Sequence, residues 1–368
     1  MLCRRESLRI SAGMRVGAVC RAPAYTWAMH AIRFHEHGGP EVLRYEEVPD
    51  PEIGPGEALV RVRACALNHL DLHERRGLQR VTIPLPHIPG SDVAGEVVAA
   101  AGDGVEAGQR VMLQPGLSCG RCAACQSGRD NECPRYDILG YRSDGGYAEL
   151  VKVPLQNLIP LPPSIGFVEA AAFPLTFVTA WHMLVTRARV QPGEDVLVLA
   201  AGSGVGQAAI QVARLHGARV FATAGSSRKL ELARQLGAHE VINHHDQNFA
   251  DEIRRLTNRR GVDVVIEHVG EATWSASMRC LAAGGRLVTC GATTGPSGTI
   301  DLRFLFNRQL SVLGSYMGTK GELLTATRFF VAGSLKPVVD TTVPLAQAAE
   351  AHRRLEEGRQ FGKIVLEC

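Results

Sequence analysis

Two hydrophobic rhythms divide the chain. From Met29 to about Val153 the apolar residues come in short runs, punctuated by Gly and Pro. Ala58-Leu59-Val60-Arg61-Val62-Arg63, Val93 to Ala100 and Arg110-Val111-Met112-Leu113 read as strands, and the segment as a β-rich, partly barrel-like domain. From about Pro154 to 320, apolar strands alternate with helical stretches. Val196-Leu197-Val198-Leu199-Ala200 is an unbroken apolar run, the pattern of a strand buried on both faces of a parallel sheet. The turn Ala201-Gly202-Ser203-Gly204-Val205-Gly206 follows at once. A helix comes next, with Val205, Ala209 and Val212 at helical spacing and Gly217 as its stop, and then a strand, Arg219 to Thr223. Further strands are expected at 261–266, 285–290 and 309–313, with crossover helices such as 227–236 and 249–257. The tail, 321–368, holds two helical stretches and a final strand at 362–366, which is expected to return to the first domain. The fold class is α/β, with a β-rich domain beside a doubly wound parallel sheet.

Composition narrows the function classes. A chain of 368 residues with 45% hydrophobic content has the length for two domains and sizeable cores. No apolar run approaches the ~20 residues of a membrane span, so no membrane partner is expected. The net charge of +3 comes from the first 28 residues, where Arg4, Arg5, Arg9, Arg15 and Arg21 face a single acid, Glu6. The remainder carries 35 basic against 36 acidic residues, which predicts no nucleic-acid partner. Residues 1–28 read as a transit peptide or as sequence upstream of a start at Met29, whose Met29-His30-Ala31-Ile32 suits an opening strand. They are expected to stand outside the fold and to be poorly ordered.

Ten cysteines add a metal site rather than a disulfide framework. Cys3, Cys20, Cys65, Cys280, Cys290 and Cys368 are scattered, whereas Cys119, Cys122, Cys125 and Cys133 fall within 15 residues of a Gly-rich loop. Thiolates spaced by two residues can converge tetrahedrally on one Zn²⁺, and four of them leave no open position, so the zinc expected here is structural. A reduced, cytoplasmic protein fits this usage.

The strand, turn and helix at 195–227 form the phosphate-binding half of a dinucleotide fold, with the helix N-terminus turned to a pyrophosphate. The glycines run G-x-G-x-G, so Ala201 and Ser203 are assigned the first two places if Gly206 takes the third; a tight turn in another α/β enzyme is the alternative. Cofactor contacts are expected from Gly202, Ser203, Gly204, Val205 and Gly206. About 20 residues on, where an NAD enzyme places Asp or Glu, the chain reads Ala224-Gly225-Ser226-Ser227-Arg228-Lys229. No acid is present to repel a 2′-phosphate, and Ser226, Ser227, Arg228 and Lys229 can hold one, which favours NADPH over NADH; an ordinary helix cap is compatible with the same residues.

Together the pieces resemble the medium-chain dehydrogenase/reductase family, the zinc-containing alcohol dehydrogenase superfamily, from about Met29 to Cys368. The resemblance rests on Gly38-Gly39-Pro40-Glu41-Val42-Leu43, Asn68-His69-Leu70-Asp71-Leu72-His73, Pro89-Gly90-Ser91-Asp92-Val93-Ala94-Gly95, the four-Cys lobe, the glycine turn and Phe361-Gly362-Lys363-Ile364-Val365-Leu366. It implies a GroES-like catalytic domain over 29–153, a Rossmann domain over 154–320, a return of 321–368 to the first domain, and an active site in the cleft between them. It also implies cofactor roles for Thr179 and Lys363. In zinc-dependent members Cys, His and Cys hold a catalytic metal. Those positions read Asn68, Ser91 and about Leu175 here, which looks like the quinone-oxidoreductase-like branch, whose members lack catalytic zinc. His69, His73, His87 and Asp92 are the residues that would have to rebuild a second metal site.

The expected activity is NADPH-dependent hydride transfer to a small-molecule quinone, activated alkene or carbonyl compound. Asn68 is the candidate amide donor to a developing oxyanion, and His73, placed like the proton-relay histidine of some relatives, the candidate proton donor. The relay hydroxyl position reads Leu70. Asp71 either orients His73 or bonds the backbone. An alcohol dehydrogenase with an unusual metal site and a non-catalytic, crystallin-like NADPH-binding protein are the rivals. The strand at 310–313 resembles the family's dimer edge, so a homodimer or homotetramer is expected. Loops at 78–86 and 137–144 are expected to shape the substrate pocket.

Overall fold

The computed structural model describes residues 28–77 and 81–368. The extension proposed for residues 1–28 therefore lies outside the described residues up to position 27, as does the 78–80 part of the first pocket loop. The chain opens on β1 (Ala28–Arg33), antiparallel to β2 (Arg44–Pro49). β3 (Glu57–Ala66) runs into helix α1 (His69–Arg76), and β4 (Asp92–Ala100) and β5 (Arg110–Leu113) extend the sheet. A lobe follows, with a short ladder of β6 (Gly116–Leu117) and β7 (Asp137–Ile138) and the one-turn helix α2 (Ala123–Gln126). β8 (Leu150–Pro154) and β9 (Leu158–Pro160) rejoin the sheet.

Helices α3 (Phe167–Ala171) and α4 (Pro174–Trp181) lead to the alternating half. It comprises β10 (Asp195–Val198), α5 (Gly204–Leu215), β11 (Arg219–Ala224), α6 (Ser227–Gln235) and β12 (Glu240–Asn243). It continues with α7 (Phe249–Leu256), β13 (Val262–Glu267), α8 (Glu271–Cys280), β14 (Leu281–Thr289), α9 (Leu302–Asn307) and β15 (Ser311–Gly314). The tail adds α10 (Lys320–Val331), β16 (Val339–Pro344), α11 (Ala348–Glu356) and β17 (Lys363–Glu367).

The six strands of the second half are parallel in the order β12-β11-β10-β13-β14-β15. This is the doubly wound dinucleotide-binding order, reversing direction beside the first strand. Val196, Leu197 and Val198 of β10 are wholly buried, as their unbroken apolar pattern requires, and each side chain so buried contributes roughly 1.5–3 kcal/mol. The other sheet runs β16-β17-β3-β4-β5-β9, with β8 paired to β3. β17 lies antiparallel to β3 through Val365↔Ala66, which brings the end of the chain back to the first sheet. Several boundaries shift from the expected ones, β14 opening at Leu281 rather than at 285, and one strand was not expected. β10 ends at Val198 rather than at 200, because Ala200 turns into the left-handed region (φ 46°). β12 was not expected, since its four residues begin with Glu240, end with Asn243 and show no clear alternation.

Candidate active site and metal centre

The strand order reverses between β10 and β13, and the glycine turn leaves the carboxyl end of β10 at that point. The left-handed residue of the turn is Ala200. Ala201, expected in the first glycine place, is buried and donates its N–H to Thr223 O at 2.8 Å. Ser203 caps α5 by accepting the Gly206 N–H on its Oγ at 2.8 Å. A Cβ on Gly206 would lie 2.3 Å from Ala200 O, so only glycine lets α5 pack this closely on β10. A Cβ on Gly204 would lie 2.7 Å from Thr176 Cγ2 and 3.2 Å from Lys363 Cδ. Such a bare backbone cradle at a helix N-terminus fits a pyrophosphate.

A cleft of about 500 Å³ opens over the turn. Its walls are the start of α1 (Asn68, His69, Leu70, His73), Thr176 and Thr179 of α4, Ser203, Gly204 and Val205 of the turn, Lys363, and the segments after β13 and β14. A hollow of about 790 Å³ runs beside Asn131 and Trp274, but it reaches neither the glycine turn nor Lys363, so the cleft is the candidate site.

Lys363, Asn68 and Asp92 meet at the cleft. The Lys363 ammonium donates to Asn68 Oδ1 at 2.6 Å and to Asp92 Oδ2 at 2.9 Å. Asn68 Nδ2 donates to the same Asp92 oxygen at 3.0 Å and reaches Ala66 O at 3.4 Å. Asp92 Oδ1 accepts the Leu175 N–H at 2.8 Å. All three side chains are buried. Thus Lys363, expected to serve the cofactor, turns its charge to Asn68 and Asp92, and the Asn68 amide expected to meet an oxyanion is already committed.

Asp71 does not reach His73. Its Oδ2 accepts the Asn68 backbone N–H at 2.9 Å, closing a capping box on α1, and the Tyr147 hydroxyl at 2.8 Å. Of the two expected roles, the backbone one holds. Burial raises the Asp71 pKa to about 6. His73 lines the cleft, half-buried, and burial followed by the nearby Arg76 lowers its pKa. His69 stands open to the cleft; crowding by protein, with His268 and His73 next, lowers its pKa too. His87 donates Nε2–H to Gly140 O at 2.8 Å, and Asp92 faces Lys363, so His69, His73, His87 and Asp92 are not gathered on one point.

At the end of β11, Ser226 caps α6 by accepting the Lys229 N–H at 3.4 Å, and Ser227 opens the helix. Lys229 Nζ donates to Gly358 O at 2.5 Å, and its stem would lie 3.0 Å from a Cβ on Gly202. Arg228 lies 3.7 Å from Asp340. These residues flank the glycine turn rather than line the cleft. Two histidines nearby escape sequence reasoning. A Cβ on Gly225 would lie 2.6 Å from His245 Nε2. His268, just past β13, bonds Leu199 O at 2.9 Å through Nε2 and lines the cleft, with its pKa lowered by burial. Only its place at the carboxyl end of a parallel strand could have signalled it.

The four lobe cysteines bring their Sγ atoms within 4.8 Å of one another. Among the described residues, no other group of His, Cys, Asp and Glu side chains does so. Zn–S bonds of about 2.3 Å in a tetrahedron require S···S edges of about 3.8 Å. Cys119–Cys125 at 3.9 Å and Cys122–Cys125 at 3.5 Å fit that edge. The Arg121 backbone N–H, then Arg135, lower the Cys119 pKa to about 5. Such a donor set suits Zn²⁺, which binds the thiolates.

Comparison with known proteins agrees with this geometry. The family model described as the alcohol dehydrogenase GroES-like domain matches residues 54–163, and the one described as zinc-binding dehydrogenase matches 204–332. Quinone oxidoreductase of Rattus norvegicus is 35% identical over 353 residues, covering 92% of this chain and 97% of its own. Alcohol dehydrogenase of Geobacillus stearothermophilus is 35% identical over 334 residues, covering 88% and 96%. A solved NAD-dependent alcohol dehydrogenase is 50% identical, with a TM-score of 0.89, covering 92% of this chain and 100% of its own.

Proposed function

The chain belongs to the medium-chain dehydrogenase/reductase superfamily and is an NAD(P)-dependent oxidoreductase, and we propose that it is an NADPH-dependent reductase working without catalytic zinc. Its acceptors are quinones, activated alkenes or carbonyl compounds. One observation carries the reading: the positions where zinc-dependent members hold their metal read Asn68, Ser91 and about Leu175, and the carboxylate beside them, Asp92, is paired with Lys363. None of the three offers a usual zinc ligand.

The bound nicotinamide supplies the hydride. The chain's own part is to hold it and its acceptor in register. The free N–H groups at the start of α5 would hold the cofactor's phosphates, and the bare backbone at Gly204 would let them approach. Thr176 and Thr179 wall the cleft, and Leu70 with Leu175 keeps part of it apolar, limiting water. His73 is the ionisable cleft residue best placed to pass a proton from solvent to the reduced acceptor. No acid stands in 224–229, and Ser226 and the exposed Arg228 are near the expected 2′-phosphate, which supports NADPH.

A second reading has support in the 50% identical structure, which is named an NAD-dependent alcohol dehydrogenase. One experiment separates the two. Purified protein is assayed with NADPH and NADH against quinones, enals, ketones and aldehydes, and with NAD⁺ and NADP⁺ against alcohols, with and without chelator. The proposal expects NADPH oxidation that the chelator leaves in place. Alcohol oxidation that a chelator abolishes would replace it by the dehydrogenase reading. Tight cofactor binding without turnover would point to a crystallin-like binder.

A further inference from the structure

We infer that Lys363 is a catalytic residue: one N–H of its ammonium holds the acceptor's oxygen as the hydride arrives. The inference rests on the proposed reductase reading and names the group that a metal-free site would use.

Three observations carry it. First, the Asn68 amide can be oriented in only one way. Turning it over would set Nδ2 against the Lys363 ammonium and Oδ1 against the Asp92 carboxylate, both repulsive. Its N–H groups are therefore spent on Asp92 and Ala66 O, which removes the obvious oxyanion donor from contention. Second, an ammonium has three N–H donors. Asn68 and Asp92 take two, and Lys363 lines the cleft, so the third remains for a ligand there. Third, the Lys363 stem lies against Gly204 while its ammonium is bonded to Asn68 and Asp92. Its charge is thus fixed by two side chains of the first domain at the cleft, where an acceptor beside the nicotinamide would lie. The lysine is 2% exposed, and the hydrogen bonds of Asn68 and Leu175 hold Asp92 in turn, so the donor is preorganised.

The electron count closes without another oxidant. The hydride of NADPH would move to the acceptor carbon, the C=O or conjugated π pair to oxygen, and the new anion would be held by the Lys363 N–H until a proton drawn from solvent by way of His73 neutralises it. An ammonium neutralised by Asp92 is a weaker electrophile than a divalent metal. The dependence on it therefore grows with the charge localised on oxygen: largest for an aldehyde, smaller for an enal, smallest for a quinone.

The test is Lys363→Met in the full-length protein, assayed with NADPH against benzaldehyde, cinnamaldehyde and a benzoquinone, with the cofactor Kd measured by fluorescence. Loss of one oxyanion donor predicts a fall in kcat of about 100-fold or more on the aldehyde, progressively less on the other two, with the cofactor Kd changed less than about 3-fold. Lys363→Met/Asp92→Asn, which leaves no unpaired buried charge, is read in the same way if the single variant fails to fold. An equal fall on all three acceptors would make Lys363 a structural residue. A raised cofactor Kd with kcat intact at saturation would make it a phosphate anchor. Either result overturns the inference. Wild-type protein that oxidises NADPH with none of the three removes the reaction itself, and the proposed function falls with it.

Discussion

His352 is buried without charge because both ring nitrogens are already committed. Arg75 can only donate, so Nδ1 accepts its N–H at 3.1 Å, and Nε2 carries the proton towards the Tyr147 oxygen at 3.2 Å. Burial, with Arg75 and Arg76 next, holds the pKa down to about 3. Between the ordinary histidine value and about 3 the unfolded chain binds a proton that the native one refuses, so stability falls as pH falls through that window. His352→Gln keeps one donor and one acceptor and does not titrate. It should flatten the acid slope of unfolding free energy between pH 6 and 4 by about 1.4 kcal/mol per pH unit, read from urea titrations at several pH values. An unchanged slope would mean that His352 is charged in the native state. At this scale the sequence was a partial guide. It offered Asn68, Asp71, His73 and Lys363 as residues of interest. The pairing of Lys363 with Asn68 joins positions 295 residues apart, a juxtaposition that only the return of β17 to β3 creates.

Among the elements, the glycine turn and the cysteine lobe are the most sensitive. Gly206→Ala places a Cβ 2.3 Å from Ala200 O and must push α5 off β10. A loss of about 1–3 kcal/mol and weaker cofactor binding are expected, measured by denaturant unfolding and fluorescence titration. Stability and binding both unchanged would deny the close packing. The lobe touches the segment leading from β15 into α10 directly: Asp130 accepts the Lys320 N–H at 3.1 Å, and Asn131 Nδ2 donates to Tyr316 O at 3.3 Å. Cys122→Ser should therefore lower the Tm and loosen both contacts, which hydrogen exchange at α10 would report. Elements buried on both faces, such as β10, were legible because apolar runs leave few alternatives. β12 was not, because an edge strand of four residues with polar ends carries almost no pattern.

Across the whole molecule, the six-stranded sheet leaves β15 at its edge, with Leu302 and Phe306 on α9 and Tyr316 beside it 69%, 64% and 56% exposed. An edge strand flanked by apolar side chains suits pairing with a second copy. Light scattering should find a dimer or tetramer, and Leu302→Glu/Phe306→Glu should shift it towards monomer; a wild-type monomer would contradict this. The positions of a catalytic-metal set read Asn68, Ser91 and about Leu175, whereas the thiolate set at Cys119, Cys122, Cys125 and Cys133 is complete. Zinc per chain, measured by elemental analysis on protein purified without added metal and active with NADPH, tests both halves at once. One zinc per chain is the predicted result. Two would mean that the cleft holds a metal after all, and a value near zero would contradict the four-thiolate site.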